Sequence, residues 1–328
     1  MKRIVIISCY PSGQREVEIL NRCIEGFRHT GWDIMIVSHL PIDQITAKKV
    51  EYTIYDSNNV FLPPVYTPNW WFQTDEYNIN IFNGGHTLPI CRNMRCGINL
   101  AKAMGYEDFI FTECDVLLSK SDAAKLVGLM DNMNSLEKKM LFFRPEEYRD
   151  CEGSYVYETV LFGGKIDFFL EVFQPPLDVN EWLRIPMGYT LELSFYEQFS
   201  RHEDQYLLVH DHSSNTFTDS DVNVLRYGLF NCELLYNDVV PEEPVLFIMN
   251  TLVLEEWKHV DIYKNNELTQ TQILGKDHYW FNSYKLDGEE IRVEVYDIDK
   301  KYLFLSKKFT LTKENLPLFK ERGIIKSK

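Results

Sequence analysis

Residues 88–119, LPICRNMRCGINLAKAMGYEDFIFTECDVLLS, constrain this chain more than any other stretch. Ile90, Met94, Ile98 and Ala101 recur at helical spacing. Gly105 stands where a helix stops, and Phe109, Ile110 and Phe111 form the short apolar run of a central strand. The run ends in Glu113, Cys114 and Asp115. Side chains alternate along a strand, so Glu113 and Asp115 are expected on one side and Cys114 on the other. Two carboxylates so placed repel each other, and a cation between them removes that cost. In open α/β sheets, ligands bind outside the carboxyl ends of the strands. A hard divalent cation held by one or two carboxylates keeps positions open for phosphate oxygens. The stretch therefore reads as a metal–diphosphate site, against the plainer reading of two solvated acids in a loop.

The flanking segments give this stretch a context. Residues 4–9 are a β-branched run before a Pro-Ser-Gly turn; residues 16–30 carry Val17, Leu20, Ile24 and Phe27 at helical spacing, closed by Gly31; residues 33–38 are a second strand. This strand–helix–strand order begins a nucleotide-binding α/β fold. Neither GxGxxG nor GxxxxGK[ST] occurs, which excludes the dinucleotide fingerprint and the P-loop. A third strand, 50–55, precedes Asp56-Ser57-Asn58-Asn59. Residues 62–85 look irregular and aromatic, either a cover over a ligand or a packed insertion. Later segments read as a helix (121–137), a strand (139–144), a strand running into Gly163-Gly164 (156–162), a helix (167–173), a helix (189–201) and a strand (206–209) followed by His210-Asp211-His212.

Past residue 237 the pattern changes to alternating strands separated by hairpin signals, Asn265-Asn266 and Asp287-Gly288. The expected architecture is α/β: a Rossmann-type mixed sheet flanked by helices over 1–238, then a small antiparallel β module over 239–328. The last residues, 316–328, read as a short helix and a basic tail.

Composition narrows the function. The net charge of −15 and the absence of a Lys/Arg cluster argue against a nucleic-acid partner and against docking on an anionic membrane. Seven cysteines, odd in number and without zinc spacing, are read as small buried hydrophobes of a reducing compartment. The apolar run at the N-terminus is short for a signal peptide, and no stretch reaches the length of a membrane span, so the expectation is a soluble, cytoplasmic protein. Aromatic residues make up 14% of the chain, which suits stacking surfaces as well as cores; the core reading is preferred for most of them.

Arg92-Asn93 opening a helix, small residues Ala101 and Ala103 along it, and FIFTECDV at the following strand end resemble the family 2 and related glycosyltransferases of the GT-A fold. Their strand ends in Asp-x-Asp; here the first acid is Glu113, which still ligates a metal directly or through water. The resemblance implies a nucleoside-diphosphate sugar donor, UDP- or GDP-linked, a glycan or other hydroxyl acceptor, and Mn²⁺ or Mg²⁺. It places Ser8 and Tyr10 beside the nucleoside, Asp56 on the base, Arg92 with Asn93 at the diphosphate, and Glu113 and Asp115 on the metal. His212, or else His210, completes the metal site. Gly163 and Gly164 border the sugar and the acceptor. The base that takes the acceptor's proton is expected on the 189–201 helix, Glu192 first and Glu197 second, with Asp204 third. Inversion of configuration follows from the resemblance alone.

Each of these residues has an ordinary reading too: a turn-forming Asp56, a salt-bridged Arg92, solvated glutamates, a plain Gly-Gly turn, surface histidines. Two rivals follow. A sugar-phosphate nucleotidyltransferase shares the sheet but needs a glycine-rich loop after the first strand, and PSGQRE is poor in glycine. A non-catalytic glycan-binding or scaffold protein on a transferase fold is kept open by Glu113 and by the unfixed base.

Overall fold

The computed structural model describes residues 2–11, 13–59, 70–81, 87–144, 157, 159–182, 191–210, 225–226, 230–251, 257–301 and 303–328. The chain divides into two compact units: Met1–Phe61 with His86–Tyr227, and Leu62–Gly85 with Gly228–Lys328.

The first unit begins with β1 (Arg3–Cys9), α1 (Gln14–Arg28), β2 (Asp33–Ser38), the short α2 (Gln44–Ala47) and β3 (Tyr52–Tyr55). The next two strands, β4 (Trp70–Gln73) and β5 (Tyr77–Ile81), belong to the second unit. The first resumes with α3 (Thr87–Ala103), β6 (Asp108–Glu113), β7 (Val116–Leu117), α4 (Lys120–Ser135), β8 (Met140–Arg144), β9 (Leu161–Lys165), α5 (Ile166–Val172), α6 (Val179–Trp182), α7 (Leu191–Phe199), β10 (Tyr206–His210) and β11 (Leu225–Arg226). Seven strands form one sheet in the order β10-β8-β9-β6-β1-β2-β3. β3, β2, β1 and β6 run parallel, β9 runs against β6 and β8, and β10 is parallel to β8.

Period-2 alternation decides which side chains meet which helices. Ile4, Ile6, Met35, Val37, Phe109, Phe111 and Phe142 face one way, against α3, α5 and α7. Val5, Ile7, Ile34, Ile36, Ile110 and Leu141 face the other, against α1 and α4. Both faces are covered, which is why these strands read as continuous apolar runs. Ile90, Met94, Ile98 and Ala101 form the buried stripe of α3, as their spacing requires. Gly105, at φ +78°, ends that helix: the Gly105 N–H donates to Lys102 O and the Tyr106 N–H to Ala101 O. α4 starts on a capping box between Ser119 and Asp122. The aromatic surplus goes largely into the core, where Phe142, Phe162, Phe169, Phe173, Phe195 and Phe199 pack ring against ring.

The second unit holds β4 and β5 together with β12 (Phe230–Asn237), β13 (Val245–Asn250), β14 (Lys258–Lys264), β15 (Glu267–Leu274), β16 (His278–Ser283), β17 (Glu290–Asp297), β18 (Leu303–Thr310), α8 (Leu316–Arg322) and β19 (Gly323–Ser327). They make a six-stranded sheet, β16-β13-β12-β19-β5-β4, and a four-stranded one, β15-β14-β17-β18. Phe72 of β4 meets Tyr279 of β16 with ring centroids 4.6 Å apart, so the two edge strands of the larger sheet come together.

Three expectations differ from what is found here. The unit boundary is not a single cut after residue 238, because β5 pairs with β19 and β12 pairs with β13 and β19. Long-range ladders, invisible to a linear reading, recruit part of 62–85. The supposed basic tail is β19, a central strand whose Ile325 is buried. Asn265 and Asn266, both at positive φ, do turn a hairpin between β14 and β15. Asp287-Gly288, also a strong hairpin signal, instead carries the chain from β16 in one sheet to β17 in the other. Among the described residues, no helix is long and apolar enough to cross a membrane.

Candidate active site

The carboxyl ends of β1, β2 and β6 lie side by side, with Ser8 registered against both Val37 and Glu113. The Cys114 N–H donates to Ser8 O (3.1 Å) and the Glu113 N–H to Val160 O (3.0 Å), so the start of the acidic turn is pinned on both sides. β6 ends at Glu113, and Cys114 and Asp115 form the turn into β7. The alternation expected to carry Glu113 and Asp115 to one side therefore stops at Glu113. Cys114 packs on the α1 side of the sheet. The Cys23 and Cys114 thiols are both pushed well above their ordinary range, mainly by burial, and the Asp115 carboxylate adds to the effect in each. Asp115 thus lies near Cys23 and Cys114.

Asn93 joins helix to sheet. It is fully buried, and its Nδ2 donates to Ser8 Oγ (3.0 Å) and to Val37 O (3.3 Å). Its Oδ1 accepts from Asn59 Nδ2 (2.8 Å), which also donates to Pro89 O (2.9 Å). The two backbone carbonyls can only accept, which fixes both amide orientations. Asn59 follows β3 in a turn shaped by Asp56: the Asn58 N–H donates to Asp56 Oδ1 (3.0 Å) and the Asn59 N–H to Asp56 O (3.2 Å). Arg92 closes over the same turn. Its guanidinium lies 3.7 Å from Asp56 Oδ2 and donates to Asn58 O (3.0 Å), with both side chains about a quarter exposed. Tyr10, 40% exposed, sets its ring edge-on to His39, centroids 5.6 Å apart.

Glu192 lies in the first turn of α7, half-buried. Its Oε1 accepts from Thr159 Oγ1 (2.7 Å), and Thr159 is buried immediately before Val160, the residue bonded to Glu113. Glu192 also lies close enough to Cys91 to add to burial in pushing that thiol up. Cys91 directly precedes Arg92 on α3. Glu192 is thereby held near both the first turns of α3 and the acidic turn.

Ser8, Asp56, Arg92, Asn93, Glu113, Asp115 and Glu192 are thus brought to the carboxyl side of the sheet, with Tyr10 at the end of β1. Five expected residues fall elsewhere or lie outside the described residues. Gly163 and Gly164 lie within β9 opposite Ile110 and Phe109, three and four residues back from Glu113. A Cβ on Gly163 would stand 2.8 Å from Phe109 O and 2.9 Å from Met130 Sδ, so close sheet and helix packing accounts for that glycine. Glu197 is exposed; five residues along a helix turn it well away from the face that carries Glu192. His212 lies outside the described residues, as does the side chain of His210 at the end of β10.

Glu113 and Asp115 are hard oxygen donors two residues apart. Such a pair fits a Mg²⁺ or Mn²⁺ ion that shares its coordination with phosphate oxygens and water rather than a closed protein cage. No group of three or more His, Cys, Asp or Glu suited to a metal occurs among the described residues. Asn59 and Thr159 were missed in the sequence. Asn59 read only as a turn residue, and Thr159 carried no local signal, because its partner lies on a helix 33 residues away.

No protein-family model matches this chain, and no curated protein matches it. Among solved structures it is similar to S. aureus TarS 1–349, at 14% identity over 65% of this chain and 59% of that one, with a TM-score of 0.37. It is also similar to a glycosyltransferase involved in glycosylation of the major capsid of PBCV-1 (12% identity, 68% and 93% covered, TM-score 0.39). A cytidylyltransferase from Leptospira borgpetersenii serovar Hardjo-bovis is a third (10% identity, 70% and 81% covered, TM-score 0.36). The chain spans less than two thirds of the TarS 1–349 structure.

Proposed function

We propose that this chain is a metal-dependent glycosyltransferase that moves a sugar from a UDP- or GDP-linked donor to a hydroxyl of a glycan or other acceptor. The observation that carries the reading is the tie between Asn93 and Ser8. It sets the Arg92-bearing start of α3 against the strand ends that carry Asp56 and Glu113. A guanidinium beside an acidic turn, at the carboxyl edge of a parallel sheet, suits an anionic diphosphate better than an apolar or nucleic-acid ligand.

In this reading Glu113 and Asp115 hold the cation, which when bound offsets the charge of the departing diphosphate. Arg92 adds positive charge on the same side, and Asp56 keeps that guanidinium in place. Glu192 accepts the proton of the acceptor hydroxyl. The acceptor oxygen forms its bond to the anomeric carbon on one face while the bond to the diphosphate oxygen breaks on the other, the electron pair leaving with the nucleoside diphosphate. Attack from the face opposite the leaving group inverts the configuration.

The test is incubation with UDP- and GDP-sugars plus Mn²⁺, and separately with nucleoside triphosphates plus sugar phosphates. Release of a nucleoside diphosphate from one donor class supports the proposal. Release of pyrophosphate from a triphosphate instead identifies a nucleotidyltransferase, and no turnover of either kind favours a non-catalytic protein.

A further inference from the structure

We infer that Thr159 is the positioning residue for the base Glu192; this rests on the transferase reading above. Three observations meet at this residue. Its hydroxyl lies 2.7 Å from Glu192 Oε1. Thr159 is only 2% exposed, so the hydroxyl is turned inward onto that carboxylate and not to bulk water. Its chain neighbour Val160 accepts the Glu113 N–H, so the backbone that aims Thr159 is the backbone that pins the acidic turn.

A glutamate has three rotatable bonds, and a carboxylate in the first turn of a helix sweeps a wide arc unless something holds it. A base must lie within hydrogen-bond reach of the proton it removes, and a third group that orients the base is the recurring solution. Thr159 supplies that group. It occupies Oε1 as donor and leaves Oε2 to accept the proton of the attacking hydroxyl, or of water when no acceptor is present. The new bond joins that oxygen to the anomeric carbon; the bond that breaks is the one to the diphosphate oxygen, which keeps the electron pair. Thr159 gains and loses no proton.

The experiment uses the full chain with Mn²⁺ and a panel of UDP-glucose, UDP-N-acetylglucosamine and GDP-mannose, following donor hydrolysis. Thr159→Val keeps the shape and removes the hydroxyl; Thr159→Ser keeps the hydroxyl. The valine variant is expected to lose about 10- to 100-fold in kcat with KM unchanged, as befits a misaimed base, and the serine variant to recover most of it. Melting temperatures of both variants separate this from unfolding, since serine, which creates the larger packing defect, should be the less stable yet the more active. Wild-type kcat in Thr159→Val, alongside a large loss in Glu192→Gln, overturns the role of Thr159 while leaving the transferase reading intact. Equal losses in Val and Ser variants also overturn it. A wild-type protein that cleaves none of the panel overturns the transferase reading and this role with it.

Discussion

Asn93 Nδ2 lies 3.0 Å from Ser8 Oγ, and through that contact the helix that carries Arg92 is locked to the strand beside Glu113. Asn93 is 0% exposed, and its side chain makes three hydrogen bonds, to Ser8, Val37 and Asn59. Replacing it strips partners from Asn59 and from Val37 O. Asn93→Ala should therefore cost about 2–4 kcal/mol, beyond what the lost volume alone explains. Urea unfolding of the two proteins checks this; a loss below about 0.5 kcal/mol would mean the amide is not structural.

The same helix approaches the sheet closely at Gly97. A Cβ there would stand 2.7 Å from Ile6 Cγ2 and 2.9 Å from Val37 Cγ2, both on fully buried side chains. Alanine is the better helix former by about 1 kcal/mol, yet overpacking of a dense core costs about 1–3 kcal/mol. Gly97→Ala is expected to be net destabilising and to weaken donor binding by pushing α3 off the strand ends. A stabilised variant would show that the contact is loose.

Burial pushes the Cys9 and Cys232 thiols up from 9.0 to about 12. Below pH 9 both folded and unfolded chains keep these protons, and the thiols add nothing to the pH slope. Between pH 9 and about 12 the unfolded chain releases them and the folded chain does not, so stability falls as pH rises, by up to about 1.4 kcal/mol per pH unit for each thiol. Urea midpoints of wild type and Cys232→Ala between pH 8 and 10.5 should diverge in slope, the variant falling less steeply. Parallel slopes would contradict the assignment.

β19 pairs with β5 along Gly323–Ser327 and with β12 at Ile324 and Ile325. Deleting 323–328 removes a central strand and exposes two edges, so the second unit should lose its cooperative melting transition and the protein should aggregate. A truncated protein with an unchanged melting profile would show that this ladder contributes nothing.

Local patterning made the first unit readable. The apolar stripe of α3, the stop at Gly105 and the buried runs of β1, β2 and β6 all follow from periods of 3.6 and 2 with Gly punctuation, and each is found where it was expected. The pairing of Arg92 with Asp56 was not legible, although both residues were singled out, because nothing local to either one reports the other. Gly163-Gly164 misled for a related reason: a glycine pair marks close approach, and sequence does not say whether the approaching partner is a ligand or, as here, the Phe109 carbonyl and Met130. β19 read as a tail because a short strand buried between two others has no amphipathic signature of its own. Asp287-Gly288 carried the right turn chemistry, but the sheet to which the next strand belongs is set by its partners in β14 and β18.

The central claim is that the turn at Glu113 and Asp115 binds a nucleoside-diphosphate sugar through a divalent cation, and thermal melting with ligand tests it most directly. Wild type and Asp115→Ala would be melted with UDP- and GDP-sugars, each with and without Mn²⁺. The account predicts that one nucleotide class raises the wild-type melting temperature only when the cation is present, by an amount that grows with ligand concentration and corresponds to about 2.7 kcal/mol at a hundred times Kd. Asp115→Ala should melt normally without ligand and show no rise. An equal rise in Asp115→Ala, or no rise in wild type with any donor and cation, would contradict it.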